Sequence, residues 1–283
     1  MEADLKDNIP TFDQKGEGGE VDLTNWSALT STKIASGWRD VLLIIITAVV
    51  VIAAAEFAVK FFGIKPYVLP APSDIGKTLF TRFPDLFWPH MKITLYELLV
   101  GYVIGAAIGL VLAAVVTQFP LIEKIITPYI LLLVTTPMIA LVPLLILLQG
   151  FSSTPRIIAV ALAVGPMVMI NSATGFRRTD LAKIALAKSY GASTLQIFTK
   201  VRFPLALPMI IVGLMVGAIF GMLTAVGAEM VGGKNGLGNQ LMYWSSMVKM
   251  QNFYAIILLL ALMGVSIYIF FYWVGQKFAS WQA

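Results

Sequence analysis

The chain has 283 residues, of which 58% are hydrophobic and 12% charged, with a mean hydropathy of +0.85 and a formal net charge of +5. A soluble domain is nearer half apolar and a quarter charged, so this composition belongs to a protein that crosses a membrane several times. Without cysteine there is no disulfide or thiolate metal site, the single histidine, His90, argues against an imidazole site, and basic residues flanking apolar runs point to lipid headgroups and away from nucleic acid.

Residues 1–32 carry seven acidic side chains against Lys6 and Lys15, with Pro10, Gly16, Gly18 and Gly19 and no apolar periodicity. This composition predicts a disordered acidic tail, and no cleavable signal peptide is visible in it. Residues 33–62 hold the first predicted transmembrane helix, with "VLLIIITAVVVIAAAEFA" at 41–58. Residues 63–283 form the predicted core. Its five further spans run from about 93 to 116, 125 to 148, 157 to 173, 206 to 231 and 254 to 274, each near the ~20 residues a spanning helix needs. The runs are continuous and not alternating, which selects helices over a barrel. The expectation is an all-α membrane protein with six transmembrane helices.

Before the second span, "APSDIGKT" at 71–78 ends like a Walker A loop, but Ala71 stands where that loop needs glycine. A short interfacial helix capped by Ser73 is expected there instead. Gly101, Gly105 and Gly109 in the second span and Gly213, Gly217 and Gly221 in the fifth place small residues on single helix faces. They read as a moving contact or dimer face, or as static packing inside one subunit, which is the commoner use. Pro137, Pro143 and Pro166 should kink their spans. Glu56 and Glu97 fall near span ends and are expected to reach water. Glu229 is deeper and precedes a glycine-rich turn, "AEMVGGKNGLG".

Charge sets the orientation. Basic residues are almost evenly divided between the two sides, but the 174–205 loop holds Arg177, Arg178, Lys183, Lys188, Lys200 and Arg202 against Asp180 alone. That loop, and with it both termini, is expected to be cytoplasmic. Within it, Thr179 can cap a helix and Asp180 suits its positive end, Gly191 suits a left-handed stop, and Ser193 with Gln196 forms a capping box. Two short helices at a tight bend follow, either an interfacial connector or a knob for a partner's groove. No nucleophile–base set or paired intramembrane carboxylates suggest an enzyme.

The loop resembles the Glu-Ala-Ala motif of binding-protein-dependent ABC importer permeases. Ala185-Leu186-Ala187 stands at the triplet, Gly191 at the glycine, Val201 at the hydrophobic position and Phe203-Pro204 at the ending, with the acid replaced by Ala185. "VLPAPSDI", "IALVPLLILLQGF", "AEMVGGKNGLG" and Trp281 resemble the nitrate/sulfonate/taurine/bicarbonate branch, which also includes pyrimidine and flavin-related permeases. The resemblance implies a type I importer permease fold in the inner membrane. It also implies a second permease copy forming a homodimer, two cytoplasmic ATPases, an extracytoplasmic binding protein, and no cofactor or chemistry in the permease itself. Ala185, Leu186, Ala187, Lys188, Gly191 and Pro204 would then form the ATPase-coupling loop. Candidate pathway residues are Thr135, Thr136 and Met138 beside Pro137, with Asn171; candidate outer-gate residues are Glu229 and Asn235. A secondary transporter or channel is the rival class; it favours an internal inverted repeat, and none is visible.

Overall fold

A computed structural model describes residues 38–279; the acidic tail and Trp281 lie outside them. The described residues are helical with no strand. In chain order the helices are α1 (Trp38–Phe61), α2 (Pro72–Arg82), α3 (Trp88–Gln118), α4 (Pro120–Thr135), α5 (Met138–Gln149), α6 (Thr154–Arg177), α7 (Leu181–Ser189), α8 (Thr194–Ile197), α9 (Phe203–Gly232), α10 (Leu237–Ser246) and α11 (Met250–Ala279). One π-helical turn, Phe83–Phe87, joins α2 to α3, and another, Phe198–Arg202, joins α8 to α9.

The glycine faces fix the topology. A Cβ on Gly101 would stand 2.6 Å from Val160 Cβ, and one on Gly105 would stand 2.5 Å from the Ala161 carbonyl oxygen. Gly109 meets Gly165 and Val168 in the same way. Partner numbers rise together, so α3 runs parallel to α6. Gly213, Gly217 and Gly221 meet Asn171, Val168 and Val164 in falling order, so α9 runs antiparallel to α6. Both glycine stripes therefore serve packing on one central helix within the subunit. Val160, Val164 and Val168 on α6 are fully buried between them.

Because α3 and α6 are parallel, the chain must cross back between them, and α4 with α5 is the segment that does so. The third predicted span is thus not one helix. It is broken at Thr136–Pro137, where the two halves meet at 96°. Pro137 supplies no N–H, and it pushes Thr136 to extended backbone, φ −78° and ψ 124°. Counted as one broken span, the pair brings the crossings to the predicted six.

One end of the bundle carries the α7–α8 loop, and the other carries α2, the α9–α10 turn and α10. More than half of the apolar window of α6 is buried in protein (56%), whereas none of that of α1 is (0%). The continuous apolar surface of α1 therefore faces surroundings outside the subunit, as a helix apolar all round requires. One expectation near α1 is corrected. Ser73 is not the cap of α2: Ala71 is the N-cap and Pro72 opens the helix. Instead the backbone N–H and hydroxyl of Ser73 donate to the Glu56 carboxylate at 2.9 and 2.7 Å. Glu56 also pairs with Lys60 at 2.5 Å, so it ties α1 to the positive end of α2. Gly76, Lys77 and Thr78 lie inside α2, whose helical backbone cannot form a phosphate-cradling loop.

Candidate functional site

Three places in this scaffold bring polar or exposed groups together: the α7–α8 tip, the α4–α5 break and the α9–α10 turn.

At the tip, Asp180 and not Thr179 is the N-cap of α7, its Oδ1 accepting from the Ala182 N–H at 2.8 Å. Thr179 is buried behind it. Helix α7 ends in a Schellman arrangement, with the Gly191 N–H donating to the Lys188 carbonyl at 2.9 Å and the Ala192 N–H to Ala187 at 3.1 Å. Gly191 has φ +76°, the left-handed conformation expected of it. The Ser193–Gln196 capping box then starts α8. Ile184 and Ile197 are buried and anchor the two helices to the bundle. Around these two residues the tip exposes large apolar groups: Leu181 at 79%, Leu186 at 60%, Tyr190 at 84% and Leu195 at 71%. Of these four the sequence singles out only Leu186, and Leu181, Tyr190 and Leu195 were missed. An apolar residue in an amphipathic loop reads as core until the fold shows it pointing outward. Pro204 opens α9 directly behind the tip.

At the break, Thr136, Pro137 and Met138 line a cavity of about 270 Å³ with Pro166, Phe220 and Thr224. Thr136 and Met138 are thus brought together. Thr135 and Asn171 do not line this cavity; both bond back to their own helices, Thr135 to the Leu131 carbonyl at 3.0 Å and the Asn171 amide to Met167 at 2.8 Å.

At the α9–α10 turn lies a buried polar cluster that the sequence only half revealed. Glu97 is fully buried and not water-exposed as expected; it pairs with Arg156 on α6 at 3.0 Å. Arg156 is itself only 6% exposed. Its guanidinium also donates to the Asn235 carbonyl at 3.2 Å and the Ser152 carbonyl at 3.4 Å. Glu229 accepts from the Gly238 N–H at 2.8 Å and the Thr94 hydroxyl at 3.1 Å. The same hydroxyl accepts from the Leu237 N–H at 2.9 Å, and His90 Nδ1 accepts from the Gly236 N–H at 3.1 Å. Gly236, at φ +107°, passes directly over the Glu229 carboxyl, where any Cβ would collide with it. Side chains from α3 and α9 therefore hold the N–H groups of Gly236, Leu237 and Gly238 at the start of α10, Arg156 of α6 holds the Asn235 carbonyl, and together they fix the turn against the core. The outer-gate candidates, Glu229 and Asn235, both take part, Asn235 through its backbone. Glu97 and Arg156 lie 59 positions apart in sequence, so only helix register could have paired them.

The described residues thus form a helical bundle with one broken span and an exposed two-helix tip. Residues 105–280 match the family described as "Binding-protein-dependent transport system inner membrane component", and the chain belongs to that family. It is an ABC importer permease. It is 29% identical to a probable ABC transporter permease of Haemophilus influenzae over 75% of this chain and 86% of that one. It is 28% identical to a putative aliphatic sulfonates transport permease of Bacillus subtilis, over 87% and 88%. A formylaminopyrimidine transport permease of Halalkalibacterium halodurans is 26% identical, over 74% and 84%. In fold it is similar to a chain of a crystallised amino acid ABC transporter, with a TM-score of 0.60 at 18% identity, over 70% of this chain and 96% of that one.

Proposed function

We propose that two copies of this chain form the membrane pathway of an importer for a small anionic solute of the sulfonate, taurine, nitrate or bicarbonate kind. An extracytoplasmic binding protein delivers the solute, and two separate cytoplasmic ATPases drive transport. The carrying observation is the α7–α8 tip. It is a rigidly capped pair of helices, anchored by Ile184 and Ile197, that leaves four large apolar side chains exposed to water at the end of the bundle. Exposed groups of this size clustered on a capped element mark a protein interface. A groove in the ATPase is the occupant that the permease family supplies. On this reading the α7–α8 end and both termini are cytoplasmic, and the plasma membrane is the site of action. Residues 63–283 are the core, and residues 33–62 add the first span.

ATP-driven closure of the ATPase pair would pull the tip and switch the pathway between inward- and outward-facing states, a two-state element biased by ligand binding. On this reading Thr136 and Met138 belong to that pathway, a role supported by their place in the cavity at the broken span, where a bent span can move its two halves separately. Glu229 and the Asn235 turn would form the outer gate. The relative named as a putative aliphatic sulfonates transport permease favours the anionic class, and the formylaminopyrimidine relative makes a pyrimidine-related solute the second reading.

The test is a pull-down with the cognate ATPase, followed by uptake in proteoliposomes. Leu186→Asp with Tyr190→Asp should abolish ATPase co-purification while membrane insertion persists, and Lys234→Ala at the other end should change neither. Full ATPase association and ATP-dependent uptake in the double variant would refute the docking role. Uptake without ATP would return the chain to the secondary-transporter class.

A further inference from the structure

We propose that Glu97 and Glu229 share one proton, and that this proton latches the α9–α10 turn onto the bundle. The latch is independent of the solute and of the ATPase interface.

Both carboxyls are fully buried, Glu97 on α3 and Glu229 on α9, and they lie within hydrogen-bonding reach of each other. Arg156 is the one cation paired with either of them among the described residues. With both ionised, a dry site would hold two negative charges against one positive. Two carboxylates in contact inside a protein relieve such an excess by keeping a proton. The individual atoms agree. Glu229 Oε2 accepts from the Gly238 N–H and the Thr94 hydroxyl, while its Oε1 has no partner. Glu97 Oε1 faces the Arg156 guanidinium, while its Oε2, with Ser153 beside the carboxyl, receives no hydrogen bond of good geometry. Each carboxyl therefore keeps a spare oxygen. Touching acceptors with no donor between them are costly when buried, and a shared proton supplies the donor. The pair then carries a single negative charge, which Arg156 matches.

No other group around the cluster takes this role. His90 on α3 accepts the Gly236 N–H through Nδ1 and is neutral in that bond. Helices α5 and α10 bring no charged side chain. Lys234, in the turn itself, lies over the Phe151 ring, 5.9 Å from its centre. The Gly236 backbone lies against the Glu229 carboxyl and shields it.

The turn hangs on these same bonds. Glu229 holds the Gly238 N–H and the Thr94 hydroxyl, and that hydroxyl holds the Leu237 N–H. Losing the proton sets two carboxylates against each other, and Glu229 is the one whose bonds carry the turn. The stretch from Gly236 to Gly238 should therefore loosen at alkaline pH. The linkage has a definite sign. Unfolded glutamates ionise near pH ~4.3, so at neutral pH the folded chain carries one proton more than the unfolded chain. Stability then falls as pH rises, until the folded pair releases its proton.

The experiment uses the full-length permease in detergent. At pH 7 its infrared spectrum should show the carbonyl stretch of a protonated carboxylic acid, shifted in heavy water, and Glu229→Gln should lose that band. The variant imitates the protonated state, since its carbonyl can serve Gly238 and Thr94 while its amide donates to Glu97. Between pH 7 and pH 9, above the ordinary titration of histidine at about 6.5, the wild-type thermal midpoint should fall relative to Glu229→Gln. The expected slope is roughly 3 °C per pH unit, that of one proton. Amide exchange at Gly236, Leu237 and Gly238 should be faster in wild type than in the variant at pH 9 and equal at pH 7. Absence of a protonated-carboxyl band in wild type would mean that both glutamates are ionised and would overturn the proposal, however the variant behaves. A band that survives in Glu229→Gln would place the proton elsewhere and overturn it too. Parallel midpoints and equal exchange at pH 9 would show that the pair does not latch the turn.

Discussion

Glu97 and Arg156 are the charges most deeply committed to the fold, both buried and 3.0 Å apart. Arg156→Leu leaves Glu97 without its counter-charge in a dry site and should cost about 3–5 kcal/mol, whereas Glu97→Leu with Arg156→Leu should recover most of that. Thermal midpoints of the detergent-solubilised variants measure this, and a double variant as unstable as Arg156→Leu would show that the pair is not the unit of stability. Gly191→Val makes the opposite kind of prediction. Its strain of about 1–2 kcal/mol falls on an exposed bend, so the midpoint should barely move while ATPase co-purification drops. Normal association would mean that the bend tolerates another shape. The contrast explains what the sequence disclosed at this scale. The Gly191 stop and the Ser193–Gln196 box are interactions within six residues and are written locally. The Glu97–Arg156 pair, the Glu56 bond to Ser73 and the exposure of Tyr190 depend on which helix faces meet, which no local pattern encodes.

Among the elements, α6 is the axle, flanked by two glycine stripes that let α3 and α9 approach within backbone contact. The stripes were legible as close-packing faces, but their common target was not, since spacing names a face and not its partner. Gly105→Leu should force α3 off α6, because even a Cβ there stands 2.5 Å from the Ala161 carbonyl oxygen. A loss of about 1–3 kcal/mol is expected, read as a lowered thermal midpoint. Gly76→Leu, at a position with open space around it, is the control and should be near neutral. The break between α4 and α5 was legible only as a proline. Hydropathy scored one span because it is blind to direction, and the 96° bend comes from the missing N–H of Pro137 and the extended Thr136 before it.

For the whole molecule, the packing order does what loop charge alone could not. Parallel α3 and α6 with antiparallel α9 place Ser189 and Asn235 at opposite ends of the bundle. Which end faces the cytoplasm is a separate matter, carried by the basic 174–205 loop. Impermeant thiol labelling in intact cells and inverted vesicles separates the two questions. The chain has no cysteine of its own, so Ser189→Cys and Asn235→Cys give single reporters. Ser189 is an exposed residue in the last turn of α7, and Asn235 is exposed at the turn before α10. Asn235 serves Arg156 through its backbone carbonyl, so its side chain is free to change. Ser189→Cys should label only in inverted vesicles and Asn235→Cys only in intact cells. Labelling of both from one side would break the six-crossing topology, and in particular the crossing assigned to α4 and α5. Labelling from opposite sides in the reverse sense would keep the fold and invert it, placing the exposed Leu186–Tyr190 tip outside the cell, where no ATPase could reach it. Only the predicted sense lets the same tip serve as the docking surface.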